Sequence, residues 1–160
     1  LLDTVTNIIA VMHWGEEYFT APNATQKKLS SWLHERGADI VIGSHPHVIQ
    51  PISYIQHEQD TLGVTVFSLG NFVSNQSKRY NGGLGVHLTL YRQNGKTRYR
   101  MQTLSNYVYR PQEDGKRRYY VIPEPEAHRI LASQDSLLYT RFFQDTDSII
   151  GHIAPKFQLE

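Results

Sequence analysis

From Val5 to Met12 the chain is dominated by Val, Ile and other apolar residues and then runs into His13-Trp14-Gly15, the pattern of a buried strand ending in a loop. Between Gln26 and Arg36 the period changes. Leu29, Trp32 and Leu33 fall at i, i+3 and i+4, which predicts an amphipathic helix with Thr25 as its N-cap and Gly37 as its stop. A second apolar run, Asp39 to Gly43, completes a strand-helix-strand unit, which favours parallel pairing of its two strands.

Beyond this unit the pattern is antiparallel. Val48 to Gln56 and Val64 to Leu69 read as a hairpin across the polar stretch His57 to Gly63. Leu84 to Tyr91 and Thr97 to Tyr109 alternate around Gln93-Asn94-Gly95-Lys96, whose Asn-Gly pair suits a tight turn. Arg118 to Ile122 predicts one more strand before Pro123-Glu124-Pro125, and weaker helical periodicity follows from Glu126 to Gly151. The fold class expected is α/β (mixed α+β), a layered domain with a βαβ unit followed by antiparallel hairpins. No repeat or linker divides it, so residues 1–160 read as one domain.

Composition narrows the class. With 39% apolar and 19% charged residues, and 10 Tyr, 6 Phe and 2 Trp in 160, the chain is too aromatic for a disordered tail. Sixteen basic against 15 acidic residues leave a net charge of +1, so no overall field calls for nucleic acid. Cys is absent, which removes disulfides, thiolate metal sites and a Cys nucleophile. No apolar run approaches the roughly 20 residues that cross a bilayer, and no signal peptide opens the chain. The chain enters a strand-like segment within a few residues of Leu1 and has no initiating Met, the look of a piece of a longer polypeptide.

Among 8 histidines, three sit where chemistry would be. His45 and His47 flank Pro46 directly after the strand Ile40-Val41-Ile42-Gly43, and His13 ends the preceding strand. Ligand sites in parallel sheets form beyond the carboxyl ends of the strands, so these imidazoles should meet at one edge. Neutral imidazoles bind Zn, Mn, Fe or Ni. An HxH pair alone is weaker evidence, because alternate residues on a strand merely share a face. A lone histidine is ordinarily hydrogen-bonded or on the surface, which is the expectation for His34 (on a polar helix face), His57, His87, His128 and His152. Gly15 and Gly43 permit close backbone approach or ordinary turns. Glu16 or Glu17 could orient an imidazole or simply be solvated, and Asn71 could line the same edge or form a turn. Arg92, Arg98, Arg100, Arg110, Arg117 and Arg118 are interleaved with tyrosines, either as ordinary hairpin alternation or as a surface that could stack bases.

Read in order, His13-Trp14-Gly15-Glu16-Glu17-Tyr18, Gly37 to Pro51 with its Gly43-Ser44-His45-Pro46-His47-Val48 centre, Tyr54 and Phe67-Ser68-Leu69-Gly70-Asn71-Phe72-Val73 resemble the bacterial capsule-synthesis proteins of the CapA type. These poly-gamma-glutamate synthesis proteins are related to calcineurin-like metallophosphoesterases. The resemblance runs from about Val5 to Leu90 and fades beyond Arg92, which separates a family-matching part (1–92) from a hairpin and helical extension (93–160). It implies the C-terminal half of a metallophosphoesterase-like layered sandwich. It also implies a divalent metal (Mn, Zn, Fe or Mg) in the intact protein, with His13, His45 and His47 as ligands and Glu17, Gly43, Gln50 and Asn71 lining the site. The family's Gly-Asp and Asn-His motifs occur nowhere in this chain. The resemblance therefore implies a missing N-terminal half as partner, and little activity for this part alone. An anionic polymer such as poly-gamma-glutamate, other capsule-synthesis proteins and a place at the cell envelope or its outer side are further expectations of the same kind.

Overall fold

A computed structural model describes residues 7–57, 60–76, 80–93, 96–131 and 136–151. The first sheet is built from β1 (Ile9–His13), β2 (Ile40–Ser44), β3 (Ile49–His57) and β4 (Asp60–Leu69), in the spatial order β1-β2-β4-β3. β1, β2 and β4 are parallel, while β3 returns antiparallel to β4 with Ile49 opposite Leu69. The βαβ unit and the hairpin expected from the sequence are both present. Each hairpin strand reaches further into the polar stretch than the hydrophobic pattern suggested, because cross-strand pairing continues to His57 and Asp60. Val5 and Thr6 of the expected first strand lie outside the described residues.

The second sheet pairs β5 (Gly82–Gln93) with β6 (Lys96–Tyr109) from Gly82 opposite Tyr107 to Gln93 opposite Lys96. That register fits the Asn-Gly turn, although Asn94 and Gly95 are themselves outside the described residues. A two-stranded ribbon follows that the hydrophobic pattern does not show, β7 (Gln112–Glu113) and β8 (Lys116–Arg117). Its signal is Asp114-Gly115, both with positive φ (50° and 72°), the backbone that a two-residue type I′ turn requires. β9 (Tyr120–Pro123) then pairs with β6. The weak helical pattern of the tail resolves into α2 (Glu124–Ile130), with Pro123 at its N-cap, and α3 (Ser136–Ile150).

One core fills the space between the two sheets. Ile40, Ile52, Val64 and Val66 of the first sheet pack with Leu84, Met101, Tyr107 and Ile122 of the second and with Ala127, Tyr139, Phe142 and Phe143 of α2 and α3. Tyr54 and Tyr99 stack at 6.3 Å beside it, and burial, ahead of the neighbouring charges of Tyr54 and Asp39, pushes the Tyr99 phenol up to about 12. A smaller cluster, Trp14, Ala38, Val41 and Phe67, occupies the opposite face of the first sheet.

The helix α1 (Ala24–Glu35) covers that face, and here the sequence expectation is corrected twice. Its N-cap is Asn23, whose side chain accepts from Gln26 N while Gln26 reaches back to Asn23 N, a reciprocal box that Thr25 cannot form from inside the helix. Its buried residues are Gln26, Ser30 and His34, whereas Leu29 and Trp32 of the predicted apolar stripe are exposed. The polar residues win because each finds a partner. Gln26 Nε2 donates to Gln50 (2.8 Å), Ser30 shares a bond with Thr65 (2.7 Å), and the His34 ring meets Thr65 Oγ1 (2.8 Å) and the Ala38 carbonyl (2.7 Å). His34 is thus a satisfied histidine, as expected, but a buried one. The side chains of His57 and His152 lie outside the described residues.

Candidate functional site

His13 is the last residue of β1, His45 follows β2, and Asn71 lies two residues past β4, so three parallel strands deliver their termini to one edge. The edge is held by backbone. Trp14 N donates to Ser44 O (3.1 Å), and Tyr18 N donates to Pro46 O (2.7 Å), which clips the loop after β1 to the loop between β2 and β3. The Trp14 indole crosses β2 to donate to Phe67 O (2.9 Å), and Gly43 is where it crosses. A Cβ on Gly43 would stand 2.4 Å from Trp14 Nε1 and 2.0 Å from Phe67 O, so no other residue fits there. Gly43 therefore supports the edge from beneath.

The imidazoles come together as the spacing predicted. The His13 and His45 rings lie 4.6 Å apart between centroids, and those of His45 and His47 lie 6.3 Å apart. Both His45 (φ 100°) and His47 (φ 59°) have left-handed backbone, costly for residues with a Cβ and typical of positions held by their surroundings for a purpose.

Asn71 fixes the ring orientation of His47 and the proton on its Nδ1. Its Nδ2 donates to His47 O (2.7 Å) and Tyr80 O (3.1 Å), which uses both amide protons on carbonyls and leaves Oδ1 facing His47 Nδ1 at 2.9 Å. An amide oxygen only accepts, so Nδ1 carries the proton and Nε2 of neutral His47 presents a lone pair outward. Glu17 Oε1 lies 4.0 Å from that nitrogen. Tyr18 stacks on His47 (6.1 Å) and on Tyr80 (5.8 Å), and its hydroxyl donates to Gln76 (2.7 Å). Tyr18 and Tyr80 were not foreseen, and the positive φ of Tyr18 (67°) has no sequence signature in a tyrosine.

The remaining predicted residues sit elsewhere. Glu16 accepts from Asn23 Nδ2 (3.1 Å) at the start of α1. Gln50 is fully buried, accepts from Gln26, and donates to Phe19 O (2.8 Å), so it anchors the loop above instead of facing the imidazoles.

Among the described residues, no group of three or more His, Asp or Glu side chains is arranged to hold a metal ion by itself. The donor chemistry fits a metal in part. Two adjacent imidazoles and a third whose ring is oriented by Asn71 offer nitrogen donors, too few in this arrangement to hold a metal by themselves.

Residues 3–76 match the family described as "Bacterial capsule synthesis protein PGA_cap". Two curated relatives agree. The chain is 41% identical over 70 residues to "PGA biosynthesis protein CapA" of Bacillus subtilis (strain 168) and 42% identical over 69 residues to "Capsule biosynthesis protein CapA" of Bacillus anthracis. Each match covers 43% of this chain and only 17% and 16% of the respective relative. The likeness to these capsule-synthesis proteins lies in residues 3–76, the segment that carries the three histidines, where the motif resemblance had placed it. No solved structure matches the chain. No helix among the described residues is long and apolar enough to cross a membrane.

Proposed function

We propose that the protein acts in bacterial capsule or poly-gamma-glutamate synthesis or export at the cell envelope, alongside other capsule-synthesis proteins. In this reading the histidine edge is part of a metal-dependent, phosphoesterase-like site that other residues of the intact protein complete. The observation that carries it is the lock of Asn71 on His47, which turns Nε2 of one imidazole outward beside the His13–His45 pair. His13, His45 and His47 would hold a divalent metal, which when bound polarises a phosphoryl or carbonyl oxygen and lowers the pKa of water to about 7. Tyr18, itself stacked on Tyr80, walls the side of His47 and limits how a substrate approaches it. Glu17, exposed beside His47 Nε2, would accept a proton from an incoming group or join the ligand set.

The test is metal content by mass spectrometry and hydrolysis of bis(4-nitrophenyl) phosphate, on the full-length protein and on its His45→Ala, His47→Ala variant. Both quantities are expected to fall at least tenfold in the variant, and unchanged metal and turnover would overturn the assignment. A second reading, a noncatalytic module that holds an anionic polymer, is favoured by Arg98 and Arg100, which stand exposed at alternate positions of β6. Retention of poly-gamma-glutamate in the presence of a chelator would support that module over the metal site.

A further inference from the structure

A cavity of about 230 Å³ opens between α3 and the loops of the histidine edge. Thr20, Val48 and Ile49 contribute to one side, Phe142 and Asp145 of α3 to the other, and Tyr80 joins them. The two sides have different origins, since Thr20, Val48 and Ile49 lie in the family-matching segment while Tyr80 and α3 lie beyond residue 76. The walls mix apolar side chains with hydroxyls and one carboxylate, and no Lys, Arg or His lines them. Asp145 is half-buried and has no hydrogen-bond or ionic partner among the described residues. A carboxylate that lines a cavity without a bonded partner offers acceptor oxygens that a bound cation can engage. A further feature acts in the same direction: Ser148 and Ile149, in the last turn of α3, also line the cavity, where the helix presents its negative end.

We propose that this cavity is a binding site for a compact organic cation, a primary ammonium on a short apolar body. The ammonium pairs with Asp145 and the carbon chain lies against Val48, Ile49 and Phe142. The site is distinct from the histidine edge and shares only its neighbourhood, through Val48 next to His47 and the Tyr80 carbonyl that holds Asn71.

The experiment is a titration of the 160-residue chain with n-butylammonium chloride, n-butanol and sodium butyrate, followed by backbone amide NMR shifts with EDTA present, so that no outcome depends on metal at the histidines. Butylammonium is expected to move amides of residues 48–49 and 142–149, with at least tenfold weaker binding of butanol, weaker still for butyrate. Asp145→Asn is expected to abolish the preference for butylammonium over butanol. Equal binding of butylammonium and butanol by the unaltered chain would overturn the proposal. So would shifts confined to exposed carboxylates elsewhere, or no shifts at about 50 mM, well above the millimolar Kd within reach of a ligand this small.

Discussion

The chemistry of the histidine edge rests on backbone that its own residues resist. His45 at φ 100° and His47 at φ 59° flank Pro46, whose carbonyl is tied to Tyr18 N. Such conformations cost of order 1–3 kcal/mol each and persist only where the surroundings impose them. If His45 is kept for its ring, its backbone should prefer glycine. His45→Gly is therefore expected to be more stable than His45→Ala by about 1 kcal/mol, since both delete the imidazole and only Ala retains the Cβ that left-handed backbone disfavours. Urea denaturation of the two variants checks this, and an equal or reversed order would mean that the local backbone relaxes once the ring is gone. The converse holds at Gly43, where the space is already taken by Trp14 and Phe67 O, so even alanine would force the indole off its carbonyl. A histidine pair after a glycine-ended strand was legible in the sequence because both features are local. The Asn71 lock was not, because it joins residues 24 apart through an amide whose orientation only the carbonyls of His47 and Tyr80 determine.

At the scale of elements, α1 shows how a helix can be found correctly and turned the wrong way. Its span follows from propensity and Gly37, but of the stripe of Leu29, Trp32 and Leu33 only Leu33 packs against the sheet, while Gln26, Ser30 and His34 take the buried positions because each has a bonded partner there. Nothing local announces Thr65 and Gln50 as those partners, which is why the periodicity gave the wrong face. Gln26 is the centre of the arrangement, since it closes the cap with Asn23 and bonds Gln50, which in turn holds Phe19 O. Removing one side chain of such a buried pair leaves the other unsatisfied, a loss of about 1–3 kcal/mol. Gln26→Leu and Gln50→Leu are each expected to destabilise by that order, and the double variant by clearly less than their sum. A thermodynamic cycle from denaturant unfolding measures the difference, and strict additivity would show that the two amides act independently. The strands were easier to read, because alternation and apolar runs report burial directly. The β7–β8 ribbon escaped because all four of its residues are exposed and only Asp114-Gly115 marks it.

For the whole molecule, the informative feature is apolar surface that the packing leaves open. Residues side by side in parallel strands face the same way, so Ile9 and Val11, in register with Ile40 and Ile42, point to the face on which the second sheet and α3 pack. That cover stops short of β1. Ile40 is fully buried, Ile42 only partly, while Ile9 is 48% and Val11 76% exposed. Among the described residues β1 pairs only with β2, so its other side offers free backbone donors and acceptors beside an apolar stripe that ends at His13. An edge strand with these properties is a template for pairing, since added strands satisfy the backbone while the stripe drives the contact. The 160-residue chain is therefore expected to self-associate with rising concentration, and Val11→Lys, which puts a charge into the stripe without touching the main core, should shift it towards monomer. Sedimentation velocity across a concentration series reads both effects. A chain that stays monomeric, or association that Val11→Lys leaves unchanged, would place the contact elsewhere. The same stripe bears on the proposed metal site, because an element that covered Ile9 and Val11 would lie beside His13, where the further ligands that reading requires would have to come from.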